Sequence, residues 1–211
     1  MATVIFDFDG TMVDSLEIVA EIIYTMTKQK YKLDRKDLLA LRSKSIRAIA
    51  NQFHISPWKL LFMLRRGRKM MTDYLTELEP IPGITEVIKK LHQQGHSLFI
   101  ASTNSTYNID LFLKNYQIRS LFRGVIGGNG LFGKSKSLLK IMNRQKNSSK
   151  PYYYIGDEVR DIEAAKEAGI NSVAVTWGFS DLAQLKKAKP FALITKPEQL
   201  LDIINKPIPD N

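Results

Sequence analysis

Thr3-Val4-Ile5-Phe6-Asp7-Phe8-Asp9-Gly10-Thr11 is the stretch on which the fold turns. Val4, Ile5, Phe6 and Phe8 form an apolar run without the polar alternation of a half-solvated strand. Residues 4–8 are therefore expected as a strand buried on both faces. Gly10 then breaks it. Asp7 and Asp9 stand one residue apart where a core strand emerges into a turn. Taking a carboxylate out of water is costly unless something compensates its charge. A divalent cation does so, and Mg²⁺ prefers oxygen ligands. One Asp can then act as a nucleophile while the other handles protons.

Farther along the chain, apolar runs suited to buried strands recur at 98–101, 125–126, 152–155, 173–175 and 191–194. Helical patterns lie between most of them, at 84–93, 107–115, 136–143 and 162–167. This alternation predicts an α/β fold, a Rossmann-like parallel sheet with helices on both faces. Ligands of such sheets bind beyond the carboxyl ends of the strands. Residues 15–78 break the alternation and show only helical patterns. One runs over 16–23, and another starts at Ser56-Pro57, a good N-cap followed by Pro at the first helical position. The expected organisation is an α/β core domain from 1–14 and 79–211 and an inserted all-helical cap at 15–78. Glu79-Pro80-Ile81-Pro82-Gly83 reads as a rigid return linker, and 206–211 as a frayed tail.

The 211 residues are 44% hydrophobic, which suits one domain or one domain with an insert and argues against global disorder. There is no Cys, hence no disulfide framework, thiolate chemistry or Cys-based zinc site. No apolar stretch approaches the roughly 20 residues that span a bilayer, and the chain enters a strand without a signal-peptide pattern. A soluble cytoplasmic protein is expected. The 31 Lys and Arg against 21 Asp and Glu give a net charge of +10. That favours anionic partners such as phosphorylated metabolites, nucleic acid or acidic membrane, although a solvated basic surface explains it equally well.

Later segments repeat the architecture of the first, an apolar strand with polar groups at its carboxyl end. Residues 98–101 lead into Ser102-Thr103-Asn104-Ser105, whose hydroxyls and backbone N–H groups can hold a phosphate. Ser102 ends the apolar run directly and is preferred over its rival Thr103. Residues 152–155 lead into Gly156-Asp157-Glu158-Val159-Arg160-Asp161, where Asp157 is placed like Asp7. Between them, Gly130-Leu131-Phe132-Gly133-Lys134-Ser135-Lys136 offers a Lys at a helix start, able to neutralise phosphate or crowded carboxylates. Lys134 is preferred over Lys136, because Gly133 precedes it and the helix is expected to begin after it.

In this order, and over nearly the whole chain, these motifs resemble those of the haloacid dehalogenase (HAD) superfamily of aspartate-nucleophile hydrolases. The helical insert after the first motif resembles the small cap of the phosphoglycolate-phosphatase-like subgroup. The resemblance implies a Mg²⁺-dependent phosphatase acting on a small anionic phosphorylated metabolite. Asp7 would attack phosphorus, and Asp9 would serve as acid and base. Mg²⁺ would be held by the Asp7 carboxylate, the Asp9 backbone carbonyl and the Asp157 carboxylate. Ser102, Thr103, Asn104 and Lys134 would bind the phosphoryl group, and Asp161 would support Lys134 or a metal-bound water. One departure is the missing Pro that often follows this Lys in the cap-bearing group. A sugar phosphomutase of the same superfamily is the alternative, although Thr11 after Gly10 leans towards hydrolysis. A dehalogenase is disfavoured, since those relatives generally lack the second Asp and need no metal.

The cap is basic. Arg42, Lys44 and Arg47 fall where related caps carry their substrate-facing loop, so they are candidates to contact an anionic part of the substrate. Arg65, Arg66, Arg68 and Lys69 fan around one helix and read as a solvated face. Used together they would make a nucleic-acid-binding or end-processing phosphatase, but no nucleic-acid module is recognisable. His54, His92 and His96 lack metal-ligand spacing and are expected at the surface or at helix ends. Trp58 and Trp177 are expected to pack, as are Tyr152, Tyr153 and Tyr154. Nothing in the sequence sets the oligomeric state.

Overall fold

The structure, a computed structural model, describes residues 1–28, 30–41, 46–75, 77–128, 133–145 and 151–206. Its first strand, β1 (Thr3–Phe6), is buried at every position. Val4 and Phe6 face one core cluster and Ile5 the other, the alternation expected of a strand covered on both sides. The strand is shorter than residues 4–8. The Phe8 N–H is captured at 2.8 Å by Oδ1 of Asp7, and the amides of Met12 and Val13 turn back onto the Phe8 carbonyl. Gly10 closes this turn at φ +74°, a left-handed conformation that suits glycine.

A short antiparallel ribbon brackets the helical insert. Its strands are β2 (Val13–Asp14) and β3 (Glu79–Pro80), with Val13 opposite Pro80 and Asp14 opposite Glu79. The Pro-rich linker thus includes a strand, too short for any periodic signal. Between β2 and β3 lie α1 (Leu16–Met26), α2 (Arg35–Leu41), α3 (Ile46–Gln52), α4 (Pro57–Met70) and a 3-10 turn at Met71–Tyr74. A Cβ on Gly67 of α4 would stand 3.0 Å from Ile22 of α1, so glycine there permits the two helices to approach closely. Ser56 caps α4 as its sequence predicts, accepting from the Lys59 amide at 3.2 Å.

The remaining elements are α5 (Ile84–Gln93), β4 (Ser97–Ala101), α6 (Thr106–Asn115), β5 (Phe122–Ile126), α7 (Lys134–Arg144), β6 (Tyr152–Gly156), α8 (Val159–Ala168), β7 (Asn171–Val175), α9 (Leu182–Lys187), β8 (Ala192–Ile194) and α10 (Gln199–Asn205). The six-stranded sheet is parallel throughout, in the order β5-β4-β1-β6-β7-β8. Helices α5, α6 and α10 cover one face with residues such as Ile88, Phe112 and Leu200, while α7 and α8 cover the other with Leu138 and Ala165. Helix α5 buries Ile84, Val87, Ile88 and Leu91, one stripe of an amphipathic helix. The fold is therefore the expected α/β core with an inserted all-helical cap region. Strand order reverses around β1, which puts the crevice for a ligand beyond the ends of β1, β4 and β6.

Some side chains depart from expectation. Trp58 does not pack: it is 81% exposed, and Phe62, one turn on, is 62% exposed. The face of α4 turned to α1 is taken by Gly67 and Met63, which leaves Trp58 outside the contact stripe. Trp177 does pack, and donates its indole N–H to the Thr11 carbonyl at 3.1 Å. His96 stands at a helix end, its backbone N–H donating to the Leu91 carbonyl of α5 at 3.1 Å, but it is buried there, its ring accepting from the Ala2 amide at 3.0 Å and contacting Asn205. Tyr153 and Tyr154 are core residues. No helix among the described residues is long and apolar enough to cross a membrane. The tail from 207 onward lies outside the described residues.

Candidate active site

The registers fix where the strand-end groups meet. Phe6 of β1 pairs with Ile100 of β4 on one side and Ile155 of β6 on the other. Asp7, Ser102 and Asp157 each follow within two residues of these positions, so they emerge together at one edge of the sheet. Asp7 is buried, and its backbone N–H still belongs to the sheet, donating to the Ile155 carbonyl at 2.8 Å. Its Oδ1 accepts from the Phe8 amide, and its Oδ2 is ion-paired with the Lys134 ammonium.

Lys134 is the first residue of α7, not the residue before it, and is only 3% exposed. Its ammonium bridges Asp7 and Asp161. Burial works against its charge, but Asp161 and Asp7 outweigh burial and hold the ammonium protonated above its ordinary range. Lys136 is exposed, so the geometry separates the two candidate lysines. Asp161 is buried in the first turn of α8, where its Oδ2 accepts from the Glu158 amide at 3.0 Å. Burial raises its carboxyl to about 6 against the pull of Lys134, with Asp7 adding to the rise. A Cβ on Gly156 would lie 2.5 Å from the Asp161 side chain, so glycine at the end of β6 makes room for it. Tyr154, expected from the sequence only to pack, also borders the site: its hydroxyl donates to the Ala101 carbonyl at 2.9 Å and lies 3.4 Å from Asp161 Oδ1.

Asp9 is half-buried within the turn that follows β1. Both its oxygens accept from the Asn104 amide nitrogen, at 3.2 and 3.0 Å. Burial, and then the nearby Asp7 charge, push its carboxyl up to about 6, with Asn104 pulling the other way. Two carboxyl groups side by side thus have different partners, a cation for Asp7 and an amide for Asp9. Ser102 and Thr103 are both buried beside them, and Ser102 Oγ accepts from the Asn104 backbone at 3.2 Å.

Asp157 is fully buried. Its Oδ1 accepts from the Thr11 hydroxyl at 2.8 Å and its Oδ2 from the Phe179 amide at 2.6 Å. Burial, reinforced by Glu158, Asp161 and Asp7, raises its carboxyl well above the ordinary range. Gly10 and Gly178 both press on it, and a Cβ on either would come within 2.4 Å of Asp157 Oδ2.

Among the described residues, the acidic group with ligand atoms within 4.8 Å of one another is Asp7, Glu158 and Asp161. Asp157 and Asp9 face Thr11, Phe179 and Asn104 instead. Glu158 did not stand out in the sequence, although its place beside Asp157 on a strand-end loop was a usable signal. These donors are all carboxylate oxygens, and burial leaves the Asp9, Asp157 and Asp161 charges undercompensated by Lys134 and Arg160. The donor set therefore fits a hard divalent cation. Of the cap candidates, Arg42 and Lys44 lie outside the described residues, and Arg47 is located only by its backbone on α3.

The family model for haloacid dehalogenase-like hydrolases matches residues 4–175. The chain belongs to this family, in the phosphoglycolate-phosphatase-like subgroup with a helical cap, and is a phosphoric monoester hydrolase. Among curated relatives, a phosphoglycolate phosphatase of Synechococcus elongatus is 36% identical over 98% of both chains. The pyrophosphatase PpaX of Bacillus mycoides is 25% identical over 97% of both. Among solved structures, a haloacid dehalogenase-like hydrolase of Streptococcus pneumoniae superposes with a TM-score of 0.76 at 22% identity, covering 97% of this chain and 99% of that one. CbbY of Rhodobacter sphaeroides, solved with phosphate, gives 0.69 at 18% identity, covering 95% and 96%. These two show likeness of fold.

Proposed function

We propose that the protein is a Mg²⁺-dependent phosphatase that hydrolyses a small anionic phosphomonoester of the phosphoglycolate kind through Asp7. The observation that carries this reading is the unlike environment of two adjacent carboxyl groups, Asp7 on the Lys134 ammonium and Asp9 raised to about 6 beside Asn104. One is presented as a nucleophile, and the other can hold a proton near neutral pH. An Asp7 oxygen forms a bond to phosphorus as the bond to the leaving oxygen breaks, and the Asp9 carboxyl gives that oxygen its proton. Asp9 then takes a proton from water, the water oxygen bonds to phosphorus, and the bond to Asp7 breaks to free phosphate. Ser102, Thr103, Asn104 and Lys134 would hold the phosphoryl oxygens. Mg²⁺ would be held by Asp7, the Asp9 carbonyl and Asp157, or by the Asp7, Glu158 and Asp161 group, and would neutralise the charge of the phosphoryl group.

The phosphoglycolate assignment draws on the Synechococcus relative, and the basic charge of the chain suits an anionic substrate. In this reading the core is 1–14 with 79–211, the cap is 15–78, and Arg42, Lys44 and Arg47 meet the substrate's second anionic end. The test is Mg²⁺-dependent phosphate release across phosphoglycolate, pyrophosphate, sugar phosphates and oligonucleotide end-phosphates, with Asp7→Asn as the blank. A preference for pyrophosphate or sugar phosphates would overturn the substrate class. A second reading, an end-processing phosphatase, is favoured by exposed Trp58 and Phe62 beside exposed Lys59 and Arg66 on α4. Trp58 fluorescence unaffected by a single-stranded oligonucleotide at low salt would remove it.

A further inference from the structure

A continuous run of side-chain hydrogen bonds leads from the cap's return segment to Asp9. The Thr72 hydroxyl, in the 3-10 turn that follows α4, donates to Asn108 Oδ1 at 3.0 Å. Asn108 Nδ2 donates to Asn104 Oδ1 at 3.0 Å, and Asn104 Nδ2 donates to both oxygens of Asp9. We propose that Asn108 is a positioning residue, which holds Asp9 through Asn104 and makes that hold depend on the seating of the cap's return segment through Thr72.

The chemistry of each link supports a directed chain. The acidic end fixes the polarity. Asn104 must turn its NH₂ to the Asp9 carboxylate, so its oxygen faces Asn108. Asn108 must then answer with its NH₂, which leaves its oxygen for the Thr72 hydroxyl. Neither Asp nor Leu at 108 can donate at one end and accept at the other. The two asparagines are buried, so a wrong flip leaves polar atoms unpaired. Both asparagines also bond to Ser105, Asn108 through its backbone and Asn104 through its side-chain oxygen. Asn108 N–H donates to the Ser105 cap of α6, and Asn104 Oδ1 also takes the Ser105 amide at 2.8 Å. Thr72, by contrast, is exposed and lies at the rim. Its hydrogen bond is the link that breaks when the return segment moves, releasing the Asn108 amide to rotate away from Asn104.

This inference rests on Asp9 being the acid and base of the proposed reaction. It is tested on the full chain with Mg²⁺ and a generic aryl phosphate. Thr72→Val removes the hydroxyl at nearly constant shape. The expected result is a 3–10-fold fall in kcat with KM within twofold, as the loss of one hydrogen bond would give. Thr72→Ser should restore the wild-type kcat, and Asn108→Asp, which sets a carboxylate against Asn104 Oδ1, should lower it further. A merely structural contact would lower the unfolding midpoint of Thr72→Val without moving kcat. An unchanged kcat in Thr72→Val, or a failure of Ser to restore it, overturns the proposal. If the wild-type chain releases no phosphate from any substrate, it is the functional reading that has failed. The relay is then judged by a double-mutant cycle of Thr72→Val with Asp9→Asn on urea unfolding. The combined change in unfolding constant should depart at least threefold from the product of the single changes. Agreement within twofold would sink the relay on its own.

Discussion

Asp9→Asn should stabilise the metal-free protein at neutral pH, against the usual effect of changing a half-buried, hydrogen-bonded residue. Asparagine keeps the shape of the side chain and one acceptor for Asn104, but carries no charge. The Asp9 carboxyl moves from its ordinary 3.8 to about 6 on folding, chiefly through burial and then through Asp7. At about 1.4 kcal/mol per pH unit, the ionised form opposes folding by about 3 kcal/mol if wholly shielded. Asp9 keeps part of its surface open to water, which reduces this to about 1–2 kcal/mol. The sign follows from the direction of the shift. A carboxyl that binds its proton more tightly when folded adds stability that is complete below pH 3.8 and is lost as pH rises through about 6. The variant never carries that charge. It should therefore exceed wild type by about 1–2 kcal/mol at pH 7.5, with the difference vanishing near pH 4. Urea unfolding in the presence of a chelator at pH 7.5, 6 and 4 measures this directly. Asp161 titrates in the same range but is common to both proteins. A variant less stable than wild type at pH 7.5, or one with a pH-independent advantage, would refute the reasoning.

Asp7→Asn should abolish turnover of an aryl phosphate, by about 10³-fold or more, with an unchanged circular dichroism spectrum; retained activity would remove Asp7 as the nucleophile. Lys134→Met should destabilise the protein by about 3–5 kcal/mol in urea unfolding, because it leaves Asp7 and Asp161 facing each other without their shared cation. Lys136→Met, at an exposed position, should stay within about 0.5 kcal/mol of wild type. Gly178→Ala should cost about 1–3 kcal/mol, since its methyl would press within 2.3 Å of the Asp157 carboxylate. In an Asp157→Ala variant the Mg²⁺ concentration for half-maximal activity should rise at least tenfold, and an unchanged titration would take Asp157 out of the metal site.

Much of the core was legible because its strands are apolar on both faces and its helices carry a single stripe. Helix α5 was expected at 84–93 and spans Ile84–Gln93. The strand ends were less legible. Asp7 competes for the Phe8 amide and ends β1 at Phe6, a side-chain effect that hydrophobic periodicity does not carry. Strands β2 and β3 have two residues each and no pattern to read. Trp58 illustrates a different limit. Its size argued for burial, but the partner helix α1 meets α4 through Gly67, and no reading of α4 alone locates that contact. In the site, the sequence named the carboxylates but not their directions. Asp157 was grouped with Asp7, yet its oxygens go to Thr11 and Phe179 while Glu158 and Asp161 crowd Asp7. Asn108 and Thr72 carried no signal, because an Asn inside a helix and a Thr after one are ordinary until a third element brings them together.

The arrangement of the core explains how an apolar sheet tolerates so many acids at one edge. Each carboxylate is met by a donor that the fold supplies for another reason. Asp7 takes the amide freed where β1 stops, Asp161 takes the amide that begins α8, and Asp157 takes the amide of Phe179. Glycines at 10, 156 and 178 remove the side chains that would occupy the same space. Among the described residues, only Asp7 and Asp161 are ion-paired with the Lys134 ammonium, so the raised carboxyls of Asp9 and Asp157 retain a demand for positive charge. A fold selected for stability alone would replace these groups with apolar ones. In the proposed reaction, keeping their charge uncompensated would favour a bound cation and, through Asp9, would leave a proton donor within reach of neutral pH.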